Sequence, residues 1–222
     1  MCGRYRLDPL WVANEKLERL RLGILDPEPE LWDGSIEVFP RSYQPIIRYD
    51  NSGQLMVERR RWGFHRTWPD KAKQDKWVKR ELINAVGDTV HKLQTFRKAF
   101  MDTRCLIPMS AWWEWPILDG VKTRVDISMK ATNVFLAAGL YEVSKDNKTG
   151  EPVNTFTMVT TEPNDFLGTT HDRAPLVLEP EDWAKWLAGG DEAKSVIHQH
   201  PDSSAFQWVP SADPVHPKPE EQ

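Results

Sequence analysis

Near the start of the chain, Leu10, Ala13, Leu17 and Leu20 recur at helical spacing, with Glu15, Lys16, Glu18 and Arg19 largely opposite. Asp8 is placed to cap that helix, Pro9 suits its first turn and Gly23 can end it. Residues 26–35, rich in proline and acid, read as loop. A period of two then takes over. Val38 to Tyr49 and Gln54 to Trp62 predict two strands joined by the turn Asp50-Asn51-Ser52-Gly53. Trp62 to Arg80 keeps neither period and is predicted to be loop, followed by the short apolar run Leu82-Ile83 and then Asn84-Ala85. Asp88 is expected to cap a second helix that turns Val90, Leu93, Phe96 and Phe100 inward. Arg104 to Trp115 reads as a strand interrupted at Pro108. Val121 to Met129 alternates strictly. Val134 to Val143 and Val153 to Thr161 form a longer pair about the turn 146–150. Residues 162–175 are a polar loop or short helix holding His171. Pro180 to Ala188 and Asp191 to His198 are short helices, and Phe206 to Val209 is a last strand. The sum is a single α+β domain over 1–210, mostly antiparallel, with a flexible Pro- and acid-rich tail over 211–222.

Composition narrows the class. No run approaches the roughly 18–20 apolar residues of a membrane span, and Arg4 and Arg6 lead into Asp8 rather than into a signal sequence. A cytoplasmic or nucleoid location and a monomer are therefore expected. The two cysteines, Cys2 and Cys105, are too few for a disulfide framework or a four-cysteine zinc site. His198 and His200 lack a third ligand at suitable spacing, and there is no phosphate-cradling glycine loop. No metal and no cofactor is expected. The net charge of −4 argues against nucleic acid until it is resolved along the chain. Residues 59–104 carry 13 Lys/Arg against 5 Asp/Glu, a balance of +8, and the remainder holds 16 against 28, or −12. Among those cations stand Trp62, Trp68 and Trp77, which offer rings for bases beside charges for phosphates.

Four residues carry candidate chemistry. Removal of Met1 would make Cys2 the N-terminus, placing a free α-amine two atoms from a thiol. Such a 1,2-aminothiol captures aldehydes: the amine forms a Schiff base and the sulfur closes it to a thiazolidine. Glu114, within Trp112-Trp113-Glu114-Trp115, is a carboxylate among indoles, where desolvation raises its pKa toward a value useful for proton transfer. His171 heads His171-Asp172-Arg173-Ala174-Pro175 on a loop entering a strand, a position for a general acid or base. Asn84 can donate to a carbonyl or sugar oxygen. Each also has a structural reading: a solvated carboxylate, a surface histidine, a turn asparagine.

Taken in order, Met1-Cys2-Gly3-Arg4, Pro40, Arg61-Trp62-Gly63 with Trp68, Ile83-Asn84-Ala85, Arg104-Cys105-Leu106-Ile107-Pro108, Trp113-Glu114-Trp115, Ala138-Gly139-Leu140-Tyr141 and Thr170 to Pro175 resemble the SRAP family, the SOS-response-associated peptidases that crosslink to abasic DNA. The resemblance runs from Met1 to about Val209. It implies a mixed α+β domain with a barrel-like sheet and a basic groove. It also implies capture of abasic sites in single-stranded DNA through Cys2, with autopeptidase and lyase activity. By the same resemblance Glu114 positions or deprotonates the amine, His171 helps open the deoxyribose ring, and Asn84 bonds at the reacting centre. Arg4 and Arg173 hold phosphates, and Trp68 supports the kinked strand. The chain departs from the family at Val86, where a DNA-contacting arginine is usual, at Asp88, at Ile36 to Phe39, and at Arg66, which replaces a proline and is the candidate to compensate for Val86. Two other functions stay open: an N-terminal-nucleophile amidohydrolase using Cys2, and a non-catalytic single-strand binder.

Overall fold

The computed structural model describes residues 2–8, 36–70 and 76–211. The helix expected from Asp8 to Gly23 and the loop at 26–35 lie outside the described residues, apart from Asp8 itself, as does the tail beyond Ser211.

The strands in chain order are β1 (Tyr5–Leu7), β2 (Ile36–Val38), β3 (Tyr43–Tyr49), β4 (Leu55–Trp62), β5 (Phe64–Asp70), β6 (Lys76–Leu82), β7 (Asn84–Val86), β8 (Arg104–Met109) and β9 (Ala111–Glu114). There follow a small hairpin, β10 (Ile117–Leu118) and β11 (Val121–Lys122), then β12 (Val125–Met129), β13 (Phe135–Lys145), β14 (Pro152–Thr161), β15 (Ala174–Pro175), β16 (Val177–Leu178) and β17 (Phe206–Pro210). The helices are α1 (Gly87–Val90), α2 (Gln94–Asp102), α3 (Asp165–Gly168), α4 (Pro180–Ala188) and α5 (Gly190–Ser195).

Strands β14, β4, β3, β8 and β13 pair in that order, and β13 pairs back to β14, which closes a five-stranded barrel. Only the β14–β4 junction is parallel. Closure leaves these strands no open edge along the ring. A second sheet runs β17-β12-β9-β1-β2, antiparallel throughout. The two sheets are joined where the chain passes from β8 to β9 at Ser110. There the Ser110 N–H donates to Arg6 O at 2.8 Å and its hydroxyl accepts from the Asp8 N–H at 2.8 Å. The interruption expected at Pro108 thus falls two residues later, because Pro108 keeps its place opposite Leu136.

Alternation along the barrel strands sorts their side chains into two cores. Ile47, Val57, Leu106, Leu136 and Val159 pack beneath Phe100 of α2 and Trp183 and Trp186 of α4. Their neighbours Ile46, Cys105, Ile107, Phe156 and Met158 face Tyr5, Trp112, Ile127 and Phe206 of the second sheet. Gly139 allows a close approach within the barrel. A Cβ there would lie 2.7 Å from Ile107 Cδ1 and 2.9 Å from Cys105 Sγ, so the pairing of Gly139 with Cys105 tolerates no side chain.

Other expectations change as well. Val38 to Tyr49 is two strands separated by a turn at Pro40–Ser42, and the halves enter different sheets. Trp62 to Arg80 is not loop: β5 and β6 form a separate two-stranded ribbon in register from Phe64↔Leu82 to Asp70↔Lys76. Its outer half has no core to face, so the apolar alternation that marks a strand is missing. Asp88 lies inside α1, whose N-cap position is Val86, and Leu93 caps α2 from outside it and is exposed rather than inward. Gln54 to Trp62, the long pair about 146–150, the helix at Pro180–Ala188 and the last strand form as expected.

Candidate active site

Four chain segments deliver one side chain each to a common place. The first is the lead into β1. Because Tyr5 lies opposite Trp112 and the Trp113 N–H donates to Arg4 O at 3.3 Å, continuing that register brings Cys2 and Gly3 beside Glu114 at the end of β9. The second is β7, laid parallel on β14 with Asn84 opposite Met158. From there the Asn84 amide donates to the Cys2 carbonyl at 2.9 Å. Its own Oδ1 is buried with no hydrogen-bond partner among the described residues, an acceptor left for another group at this point. The third is β9, which ends on Glu114. The fourth is the loop that runs to β15 from α3, a helix capped by Asn164 on the Leu167 N–H, and it carries His171.

The chemistry of these groups is set by burial. Cys2 is fully buried, and its Sγ lies 3.5 Å from Arg4 O. Burial, then the charge of Glu114, push its thiol far above the usual range, so it is held as the thiol. Glu114 is also buried. Desolvation raises its carboxyl to about 7, with the terminal ammonium group pulling it down and Asp172 adding to the rise. A carboxyl that titrates near neutrality can both take and return a proton. His171 is half-buried; burial and the same ammonium hold its pKa down, and Asp172 raises it. Its Nδ1 has a partner for either protonation state. The neutral ring accepts the Arg173 N–H at 3.0 Å, and the protonated ring meets Asp172 Oδ1 at 2.6 Å.

The candidate DNA-contacting residues divide. Arg4 leads into β1, with its guanidinium 4.7 Å from the Phe39 ring centre and 3.4 Å from Glu37. Arg173 follows His171 by two residues, but its guanidinium is engaged by Asp88 at 2.9 Å and by the Thr160 carbonyl at 2.7 Å. Trp68 and Arg66 sit on β5, on the separate ribbon. Trp68 is exposed. Arg66, expected to reach a phosphate, instead donates to both carboxylate oxygens of Glu142, to Thr95 O at 2.8 Å and to His65 O at 2.9 Å. Sequence reasoning missed Asp88 as the partner of Arg173, having assigned it to a helix cap, and missed Asp172 as a charge beside both Glu114 and His171. The adjacency His171-Asp172-Arg173 was the available signal for the second.

A family model described as SOS response associated peptidase (SRAP) matches residues 1–216. The abasic site processing protein YoqW of Bacillus subtilis is 34% identical over 190 residues, covering 84% of this chain and 80% of that one. The abasic site processing protein YedK of Escherichia coli is 28% identical over 221 residues, covering 95% and 91%. A crystal structure of a protein from Bacteroides thetaiotaomicron superposes with a TM-score of 0.73 at 23% identity, covering 94% of this chain and 91% of that one, a likeness of fold.

Proposed function

The chain belongs to the SOS response associated peptidase (SRAP) family, and we propose that it processes abasic sites in single-stranded DNA by bonding covalently to them through Cys2. The observation that carries this reading is the convergence on Cys2 itself: its carbonyl is held by Asn84, and the charge of Glu114 helps to hold its thiol protonated. Relatives named for abasic site processing support the substrate.

The reaction follows from the states of the groups. Removal of Met1 leaves the α-amine on Cys2, beside Glu114. His171 assists opening of the deoxyribose hemiacetal to its aldehyde, since its neutral ring, accepting at Nδ1 from Arg173, carries its proton on Nε2. The amine nitrogen adds to the aldehyde carbon, and the carbonyl oxygen leaves as water with protons relayed by Glu114. The buried thiol then adds to the imine carbon and its proton passes to the nitrogen, which closes the thiazolidine. A thiol held protonated until that step suits an order in which the amine attacks first. Arg4 and Trp68 are the candidates to hold the strand on either side, and Arg173 joins them where a phosphate displaces Asp88.

The deciding experiment mixes purified protein with an oligonucleotide bearing one abasic site. A heat- and SDS-stable adduct that disappears in Cys2→Ala supports the reading. Reversible binding indifferent to that substitution leaves a plain single-strand binder, and glutamine hydrolysis would point to an amidohydrolase. Intact mass of the purified chain reports whether Met1 has been removed, and retention of Met1 would end the case for the amine.

A further inference from the structure

We propose that the outer end of the β5–β6 hairpin grips single-stranded nucleic acid on both of its faces, with Trp77 stacking on a base and Lys79 meeting the adjoining phosphate on the face opposite Trp68. This deepens the functional reading above, since it says where the strand runs beyond the reacting sugar.

The register defines the two faces. Arg66 lies opposite Arg80 and Trp68 opposite Val78 on one face, while Thr67 lies opposite Lys79 and Pro69 opposite Trp77 on the other. Each face therefore carries one indole near the tip and one exposed cation a pleat behind it: Trp68 with Arg80, Trp77 with Lys79. Residues i and i+2 of a strand stand roughly 6.5–7 Å apart on the same side, a spacing that lets one nucleotide place its base on the ring and its phosphate on the charge.

Trp77 is 68% exposed, more than any other aromatic side chain among the described residues, and Trp68 is 39% exposed. An indole so placed contributes little to folding. Its neighbours select the partner. Neither Lys79 nor Arg80 has a carboxylate partner among the described residues, and Lys79 rests only on the neutral carbonyl of Asn147. Cations without counter-charge beside flat rings fit a polyanion with stackable bases better than an apolar protein surface.

The inner half of the hairpin is clamped on both faces, which gives Trp68, Trp77 and Lys79 a fixed bearing. On one face Arg66 joins Glu142 and the Thr95 carbonyl. On the other, the turn after β13 holds it through three bonds: His65 Nδ1 accepts the Asn147 N–H at 3.0 Å, Thr67 donates to Asn147 Oδ1 at 3.2 Å, and Asn147 Nδ2 donates to Arg80 O at 3.2 Å. The root lies against the candidate active site. β6 ends at Leu82, Ile83 O accepts from Trp62 Nε1 and from the Met158 N–H, and the next residue is Asn84 on the Cys2 carbonyl.

The test is fluorescence anisotropy with an intact oligothymidylate of about 20 nucleotides, longer than one single-strand site of roughly 4–16. Trp77→Ala is expected to weaken binding about tenfold without changing the dependence on salt, and Trp77→Phe to recover most of the loss. Lys79→Met is expected to flatten the plot of log affinity against log salt by about 0.7. Thermal melting of each variant at the wild-type temperature shows that the fold is kept. Trp77→Ala binding as tightly as wild type overturns the proposal, and so does a wild-type protein that ignores the intact strand. The functional reading fails separately. If wild type forms no adduct with abasic DNA while Trp77→Ala still weakens oligothymidylate binding, the grip stands and the covalent chemistry falls.

Discussion

The Asn84 side chain reaches the Cys2 carbonyl across 2.9 Å, joining residues 82 positions apart in the chain. It orients the residue whose amine and thiol are the candidate nucleophiles, and it does so from a strand that is itself anchored on the barrel.

Removing that amide should slow adduct formation while leaving the fold in place. A net hydrogen bond is worth about 1 kcal/mol, so Asn84→Ala is expected to react about fivefold more slowly in single-turnover crosslinking. Wild-type rates in Asn84→Ala would remove the bond from the mechanism.

Glu114 should leave a signature in both rate and stability. Its folded pKa of about 7 lies above that of an unfolded glutamate. The carboxyl therefore favours the folded state fully below pH ~4.5, and this advantage is lost as pH rises through about 7, on the order of 3 kcal/mol in all. Melting temperatures of wild type and Glu114→Gln measured across that window should shift in favour of the variant as pH rises. Crosslinking by wild type should climb over the same range, a limb that Glu114→Gln lacks.

Arg66 separates a structural cation from a phosphate ligand. Its contacts with Glu142 and Thr95 predict that Arg66→Met costs on the order of 2 kcal/mol, as charged hydrogen bonds do. That is a fall of roughly 4–8 °C in melting temperature for a chain of this size. The salt dependence of single-strand binding should stay as in wild type. A flatter dependence with unchanged melting would reverse the assignment.

Gly139→Ala tests the close approach of β13 to β8. The added methyl would press on Ile107 and Cys105, and overpacking of this kind costs about 1–3 kcal/mol. Chemical denaturation should show the loss directly. A variant as stable as wild type would mean that the barrel can widen there.

Alternation was legible where one face is buried, as in Gln54 to Trp62, whose Leu55 and Val57 are buried while Met56, Glu58 and Arg59 are not. The strands about 146–150 were legible from their apolar runs instead, since residues 135–140 and 155–161 are buried on both faces. The hairpin at 64–82 failed that reading for the converse reason: its outer half meets no core, so its pattern is one of cations and indoles. The break within Arg104 to Trp115 was visible, but its place was not, since Pro108 fits its register and the turn is made by bonds from Ser110 to Arg6 and Asp8. Among the site residues, Arg66 shows the same limit: a guanidinium reads as free charge until Glu142, distant in the chain, is found against it.

Sequence by itself determined the candidate chemical groups, Cys2 behind one methionine, Glu114 between tryptophans and His171 before Asp172, because each is a matter of covalent neighbours. It also determined most of the strands, because alternation and apolar runs are local patterns. Only the tertiary structure decided that the Cys2 thiol is held protonated, that Glu114 titrates near neutrality, and that Asp88 rather than solvent faces Arg173. Those are properties of desolvation and of opposite charges brought together, and both arise only when segments far apart in the chain exclude water from the same place.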